Sequence, residues 1–183
     1  MYGKTCEPVR LVRECAAVAV PEGVPVTLPR GTVGSLSQAL GGSFTIYVQG
    51  KMFRIDGCDG DAIGKPPVVA PELPPGASDA DIERIIWDQM RACFDPELPV
   101  NVVDLGLIYE CRVEVQPDGK RDVYVTMTLT DPSCGMGDVL ACDVKGRVEL
   151  VPTVAAAHVR VVFEPRWTPD RMSEVAKLAT GVY

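Results

Sequence analysis

The sequence predicts an α+β protein, with a small β-rich domain at residues 1–64 and an α/β domain at residues 79–183. Residues 9–64 consist of short runs rich in Val, Ile and Thr, separated by Gly and Pro turns, which is typical of a small barrel or sandwich. Residues 65–78 are rich in proline, which favours an extended linker and excludes a continuous helix. After this linker, apolar residues recur with helical or strand periodicity in the order α-β-β-α-β-α. This order predicts a mixed sheet of three or more strands.

Composition and charge exclude several classes of protein. The chain has 183 residues, of which 46% are hydrophobic and 23% are charged, as in a soluble globular protein. Its net charge of −7 argues against a nucleic-acid partner, because acidic surfaces repel phosphates. No apolar run is long enough for a membrane span, and the N-terminus lacks the pattern of a secretory signal. The 7 cysteines include no Cys-x-x-Cys pair, so we expect a cytoplasmic protein without a disulfide framework or a zinc knuckle.

The second domain begins with a predicted helix capped by Ser78, with Asp81 three residues later as a weaker form of the capping box. The helix should end at the proline-containing loop that follows, since residues before proline avoid the helical region. Its apolar residues recur at helical spacing and are expected to face the core: Ile82, Ile85, Ile86, Met90 and Cys93.

The loop after this helix carries three carboxylates, Asp95, Glu97 and Asp104. It leads into two predicted strands, 107–115 and 123–130, which a short turn joins into an antiparallel hairpin. Threonines alternate with apolar residues in the second of these strands, so we expect one polar and one buried face.

A helix over residues 138–151 connects the hairpin to a third strand at about 155–163, which makes the third strand parallel to the second. Thr168 is expected to cap a last helix, with Pro169 at its first position. The apolar face of that helix is predicted to contain Met172, Val175, Ala176 and Ala179.

Cys134 lies where the second strand stops and the next helix is expected to begin. A thiol close to the positive end of a helix dipole has a lowered pKa, and the thiolate attacks electrophiles and binds soft metals. The alternative is a small residue in a tight turn without chemical function. The single histidine, His158, lies in a strand-like run, where an exposed or packed side chain is the expected state and a catalytic base is the alternative.

Four motifs stand in a fixed order in the second domain: Asp95-Pro-Glu-Leu-Pro-Val, Val103-Asp-Leu-Gly-Leu-Ile-Tyr109, Thr128-Leu-Thr-x-x-x-Cys134-Gly and Pro165-Arg-Trp-Thr-Pro-Asp-Arg-Met172. In this order and spacing they resemble the metal–sulfur cluster assembly family, which includes PaaD-like proteins. The additional β-rich N-terminal segment resembles one branch of that family, so that the resemblance extends over nearly the whole chain. Many relatives have proline after the motif cysteine, whereas this chain has glycine there.

The resemblance implies an accessory role in the maturation of iron–sulfur clusters or their transfer to client proteins, with Cys134 as an iron–sulfur ligand. A stable cluster site usually needs four thiolates, so one thiolate per subunit would hold a cluster or iron only transiently. Expected partners are the iron–sulfur assembly machinery and apo client proteins, with a homodimer as a further option. The possible pocket around the cysteine would contain Asp95, Glu97, Asp104, Thr128, Thr130 and Gly135. Capping and loop hydrogen bonds are the alternative role of its carboxylates.

Two other hypotheses remain open at this point. One is a client-binding adaptor that uses Trp87, Trp167 and the acidic surface without ligating a cluster. The other is a thiol enzyme with Cys134 as nucleophile, which would have to use His158 as its base. Because a single strand histidine gives that enzyme little support, we expect a protein without enzymatic activity.

Overall fold

The computed structural model describes residues 7–20, 22–38, 43–95, 98, 100–131 and 137–181. The chain divides into two compact units, Met1–Val69 and Ala70–Tyr183, and the division falls inside the proline-rich segment. One unit is built on a large antiparallel sheet and the other combines a mixed sheet with helices, so the prediction of an α+β protein is confirmed. In the ranges given above, no helix has both the length and the apolar composition that a membrane span requires.

The first unit is an antiparallel sheet of six strands in the order β1-β4-β5-β6-β2-β3. Its elements are β1 (Glu7–Arg10), β2 (Cys15–Val20), β3 (Val24–Leu28), β4 (Val33–Gln38), β5 (Ser43–Val48) and β6 (Lys51–Asp56), followed by a 3-10 helix (Gly57–Ile63). The β5–β6 turn consists of Gln49 and Gly50, both at positive φ, as a two-residue hairpin turn requires. Ile46 and Ile55 are fully buried at the centre of this unit's core.

The second unit has a three-stranded sheet in the order β7-β8-β9, in which β7 and β8 are antiparallel and β8 and β9 are parallel. Its elements are α1 (Asp79–Arg91), β7 (Ile108–Val115), β8 (Arg121–Met127), α2 (Gly137–Glu149), β9 (Val154–Val161), a 3-10 turn (Pro169–Arg171) and α3 (Glu174–Thr180). Since α2 connects two parallel strands, it is the crossover helix of the unit.

Helices α1 and α2 pack against one face of this sheet. The capping box of α1 is complete, because Ser78 and Asp81 each accept a hydrogen bond from the other's backbone N–H. The apolar face predicted for α1 is buried at Ile82, Ile86 and Met90. These side chains belong to one hydrophobic cluster with the inward-facing residues of β8. That cluster includes Val123, Val125, Met127, Val144 and Val148. The opposite face of the sheet carries polar and aromatic side chains.

Two predicted elements differ in extent from the observed ones. The strand expected to reach residue 130 ends at Met127, although burial continues to Thr128 and Leu129. The alternation of threonine and apolar residues in the sequence therefore continues past the paired strand and overestimates its length. Thr128 is only 1% exposed, so it does not belong to an exposed polar face.

The predicted start of the last helix is also wrong. Thr168 precedes only the 3-10 turn and makes no side-chain cap, whereas Ser173 Oγ accepts the N–H of Ala176 and caps α3. The later start leaves only part of the predicted apolar face in the core. Met172 and Ala176 are buried, but Val175 is 70% exposed and Ala179 is exposed as well.

Gly106 supports a close contact within the second unit. Its φ is +69°, and a Cβ at this position would lie 2.7 Å from the carbonyl carbon of Arg171 and closer still to the carbonyl oxygen. Gly119, in the β7–β8 turn, has a similar φ of +80° but has open space around it. The two glycines thus share a backbone conformation and differ in their surroundings.

We expect Gly119→Ala to lower the free energy of unfolding by about 1–2 kcal/mol, the cost of a left-handed alanine. Gly106→Ala should cost distinctly more, because the added methyl group also collides with backbone that cannot rotate away. Urea unfolding of the two variants measures the difference. Equal losses would show that the contact with Arg171 does not constrain residue 106.

Candidate functional site

The candidate site is one end of the three-stranded sheet. Ile108 pairs with Met127, and Met127 pairs with Val161, so the start of β7 and the ends of β8 and β9 lie side by side. Two further bonds extend this row, from Thr128 N–H to Leu107 O at 2.9 Å and from Val162 N–H to Met127 O at 2.8 Å. We call this edge the motif end, because described residues of the second, third and fourth motifs adjoin it. In α/β sheets, ligands bind beyond the carboxyl ends of parallel strands.

The first motif forms a loop with internal hydrogen bonds. Asp95 is 5% exposed, and its carboxylate accepts the N–H of Leu98 at 3.0 Å. Its own N–H donates to Val100 O at 3.1 Å, which closes the loop. Glu97, the second predicted carboxylate, lies outside the described residues.

The second motif is a turn organised by Asn101. Its side-chain oxygen accepts the N–H groups of Val103 and Asp104, and its Nδ2 donates to Asp104 Oδ2 at 2.6 Å. The described contacts of both Asp95 and Asp104 are therefore loop hydrogen bonds, as in the alternative stated for them. Sequence reasoning missed Asn101, although asparagine side chains commonly accept the backbone N–H two residues later in a turn.

Residues 163–173, which contain the fourth motif, cross the motif end from β9 to β7, and we call them the strap. The indole N–H of Trp167 donates to Leu105 O at 2.8 Å, and the hydroxyl of Tyr109 donates to Pro165 O at 2.7 Å. Ser173 N–H donates to Asp104 O at 2.8 Å. The strap is thus bound to the second motif along its length.

The third motif runs from the end of β8 into the segment that precedes α2. Thr128 is buried and joined to Leu107, while Thr130 is half-buried. Cys134 and Gly135 lie outside the described residues. In the sequence, Cys134 stands between the end of β8 and the first residue of α2, Gly137. Of the residues predicted to form the pocket, Thr128 is thus the one joined directly to the second motif by a described hydrogen bond.

Four of the described cysteines are poor candidates for a thiolate. Cys15 and Cys93 are buried, and burial raises the pKa of Cys15. Burial raises the pKa of Cys111 to about 11, and partial burial together with a hydrogen bond to Asp56 raises the pKa of Cys58 to about 11. Cys142 is exposed on α2. The described residues contain no group of three or more His, Cys, Asp and Glu side chains that could hold a metal ion.

The tryptophans and the histidine make contacts within the second unit. Trp87 and Trp167 are partly buried and pack against the core of the second unit. His158 is exposed on β9, as expected for a strand histidine, and its ring stacks on Tyr124 with the ring centroids 4.8 Å apart. Because of these contacts, only part of the surface of each indole is exposed to a client protein.

The chain is similar to several known proteins. A family model described as iron–sulfur cluster assembly protein matches residues 83–161. A protein of Porphyromonas gingivalis named Fe-S protein maturation auxiliary factor is 48% identical over 99 residues, which are 54% of this chain and 90% of that protein. The chain belongs to the iron–sulfur cluster assembly protein family.

The matches to two further proteins cover a similar share of this chain. The Fe-S protein maturation auxiliary factor SufT of Staphylococcus aureus is 40% identical over 89 residues, 49% of this chain and 97% of that protein. A crystal structure of a domain of unknown function from Bacillus anthracis covers 57% of this chain and 95% of its own, with 35% identity and a TM-score of 0.49. These relatives match about half of the chain, and the family model falls entirely within the second unit.

We predict that Trp167→Phe lowers the free energy of unfolding by about 1 kcal/mol, because the indole N–H to Leu105 O is lost while the aromatic ring stays. Amide exchange of residues 101–107 should become faster, since the strap no longer fixes that turn. Trp87→Phe is the matched control, because Trp87 is also half-buried but lies on α1. Equal exchange at residues 101–107 in both variants would contradict the role given to the strap.

Proposed function

We propose that the protein is an accessory factor in the assembly or maturation of iron–sulfur clusters and in their transfer to client proteins. Membership of the iron–sulfur cluster assembly protein family supports this role, as do relatives named Fe-S protein maturation auxiliary factors. The observation that carries the proposal is the contact of the described parts of the second, third and fourth motifs at the motif end. Motifs that were separate in the sequence form one continuous region of hydrogen-bonded loops there.

Within this role, Cys134 is the proposed ligand of the cluster. Its place before the N-terminus of α2, a helix of 13 residues, favours the thiolate through the helix dipole. Raised pKa values at Cys15, Cys58 and Cys111 disfavour thiolates at those positions. The choice of Cys134 rests on this contrast and on its place in the third motif.

The cluster, or iron alone, is cargo in this proposal and not a resident cofactor. One thiolate cannot hold an iron–sulfur cluster tightly, so the other ligands would come from a second copy of the chain, a client or a small thiol. The proposed partners are therefore the assembly machinery that loads the cluster and the apo clients that accept it. Loose ligation suits a donor, because the cargo has to leave.

Anaerobic reconstitution with iron and sulfide should give the wild-type protein the absorption and Mössbauer spectra of a cluster, and Cys134→Ala should lose them. Cys142→Ala is the control, because Cys142 is an exposed cysteine that follows shortly after Cys134 in the sequence. In cells that lack the native protein, Cys134→Ala should also fail to restore the activity of cluster enzymes. A folded Cys134→Ala variant that performs like wild type in both assays would refute cluster ligation by this cysteine.

Alkylation with iodoacetamide should separate the thiols by their pKa values. With a pKa of about 11, about one Cys111 thiol in a thousand is ionised at pH 8, so its alkylation should rise about tenfold per pH unit up to pH 11. Cys134 should react fastest at pH 7, and its rate should level off first as the pH rises. Mass spectrometry of the labelled peptides measures both profiles, and a Cys134 profile that follows Cys111 would contradict a lowered pKa.

A further inference from the structure

The ion pairs of the second unit leave one group of arginines without carboxylate partners. Acidic residues outnumber basic ones in residues 70–183, and most of the basic side chains there lie within 4 Å of a carboxylate. These ion-paired cations are Arg84, Arg91, Arg112, Arg121, Lys145 and Lys177. Among the described residues, Arg160, Arg166 and Arg171 make no ion pair.

These three arginines lie at the motif end. Arg166 and Arg171 belong to the strap, and Arg160 is on β9 just before it. All three are exposed. Arg171 stacks over the ring of Tyr109 at 4.2 Å, and Arg160 Nη2 lies 3.5 Å from Thr126 Oγ1. Neither contact neutralises a charge.

The strap has acidic residues of its own, Glu164 and Asp170, and both are exposed. No ion pair joins either of them to the three arginines among the described residues. Phe163 adds an apolar side chain that is 45% exposed. Arginine and aromatic residues together are the composition of interface hot spots.

The strap is also preorganised for binding. Its backbone is fixed by the bonds of Trp167 and Tyr109, so a partner that docks on it would order few additional groups. Exposed cations without partners, concentrated in an acidic unit, complement a surface of opposite charge. We propose that Arg160, Arg166 and Arg171 form a docking surface for an acidic segment of a partner protein.

This inference rests on the proposed function and adds the chemistry of the partner. An acidic segment held on the strap would bring the partner next to the end of β8, from which the chain continues to Cys134. Electrostatic attraction would speed the encounter, and physiological salt would keep the complex short-lived. Both properties suit a factor that meets several proteins in turn.

The test uses a fluorescein-labelled peptide rich in Asp and Glu with one Phe, and a control peptide with Lys in place of the acids. Fluorescence anisotropy should show binding of the acidic peptide alone, and binding should weaken with added salt. Arg166→Glu and Arg160→Glu should each weaken it on the order of tenfold. Lys120→Glu is the matched control, because Lys120 is exposed, has no ion pair among the described residues and lies at the opposite end of β8.

Several outcomes would overturn the proposal. If Lys120→Glu weakens peptide binding as much as the arginine variants do, the effect reflects net charge alone. If neither arginine variant weakens peptide binding, the three arginines do not form a docking surface. Tighter binding of single-stranded RNA or of anionic lipid vesicles through the same arginines would exclude an acidic protein segment as the partner. Thermal unfolding verifies that Arg160→Glu and Arg166→Glu stay folded, and Arg166→Lys should restore most of the binding.

The cluster assay distinguishes a failure of this inference from a failure of the proposed function. Arg166→Glu should still accept a cluster on reconstitution but should transfer it more slowly to an apo ferredoxin. Cys134→Ala should bind the acidic peptide like wild type. Peptide binding without any cluster in the wild-type protein would contradict the proposed function and leave the docking surface supported.

Discussion

The structure of the second unit depends on the pairing of β8 with strands of opposite direction on its two sides. The hairpin brings the start of β7 to Met127, and the α2 crossover brings the end of β9 to the same residue. Segments that are more than fifty residues apart, such as those of Leu105 and Trp167, therefore come into hydrogen-bonding contact. Without the parallel β8–β9 pair, the strap would leave the sheet at the opposite end and could not reach the second motif.

The strap has two sides with different roles. The indole of Trp167 and the carbonyl of Pro165 bond to the turn and to Tyr109, and the first of these bonds satisfies a polar group in a half-buried place. Its outward groups include arginines without ion pairs. Arg166 and Trp167 are neighbours in the chain, and successive side chains point to opposite sides of an extended segment, so one can present charge while the other fixes the backbone.

Local features of the sequence predicted most of the fold, but they did not decide between competing local partners. The apolar face of α1 and the capping box at Ser78 depend on residues three or four apart, and both are present. The start of α3 was missed because both Thr168 and Ser173 can precede a helix, and only Ser173 caps α3. At the site, motif spacing identified the family and the segments that meet. It did not show that Asp95 and Asp104 bond within their own loops, nor that the strap arginines lack carboxylate partners.

The position of His158 bears on the choice between carrier and thiol enzyme. It pairs with Tyr124, three residues before the row of Met127 and Val161, which is about 10 Å along a strand. Its ring stacks on Tyr124, and Arg112 covers the same ring from the side of β7. A catalytic base must lie within hydrogen-bond reach of its nucleophile, and this histidine is held in the middle of the sheet, away from the motif end. A thiol at the motif end would therefore act without an imidazole partner. Ligation of a soft metal needs no such base, since the metal itself favours the thiolate, and this difference favours a transient ligand over a nucleophile.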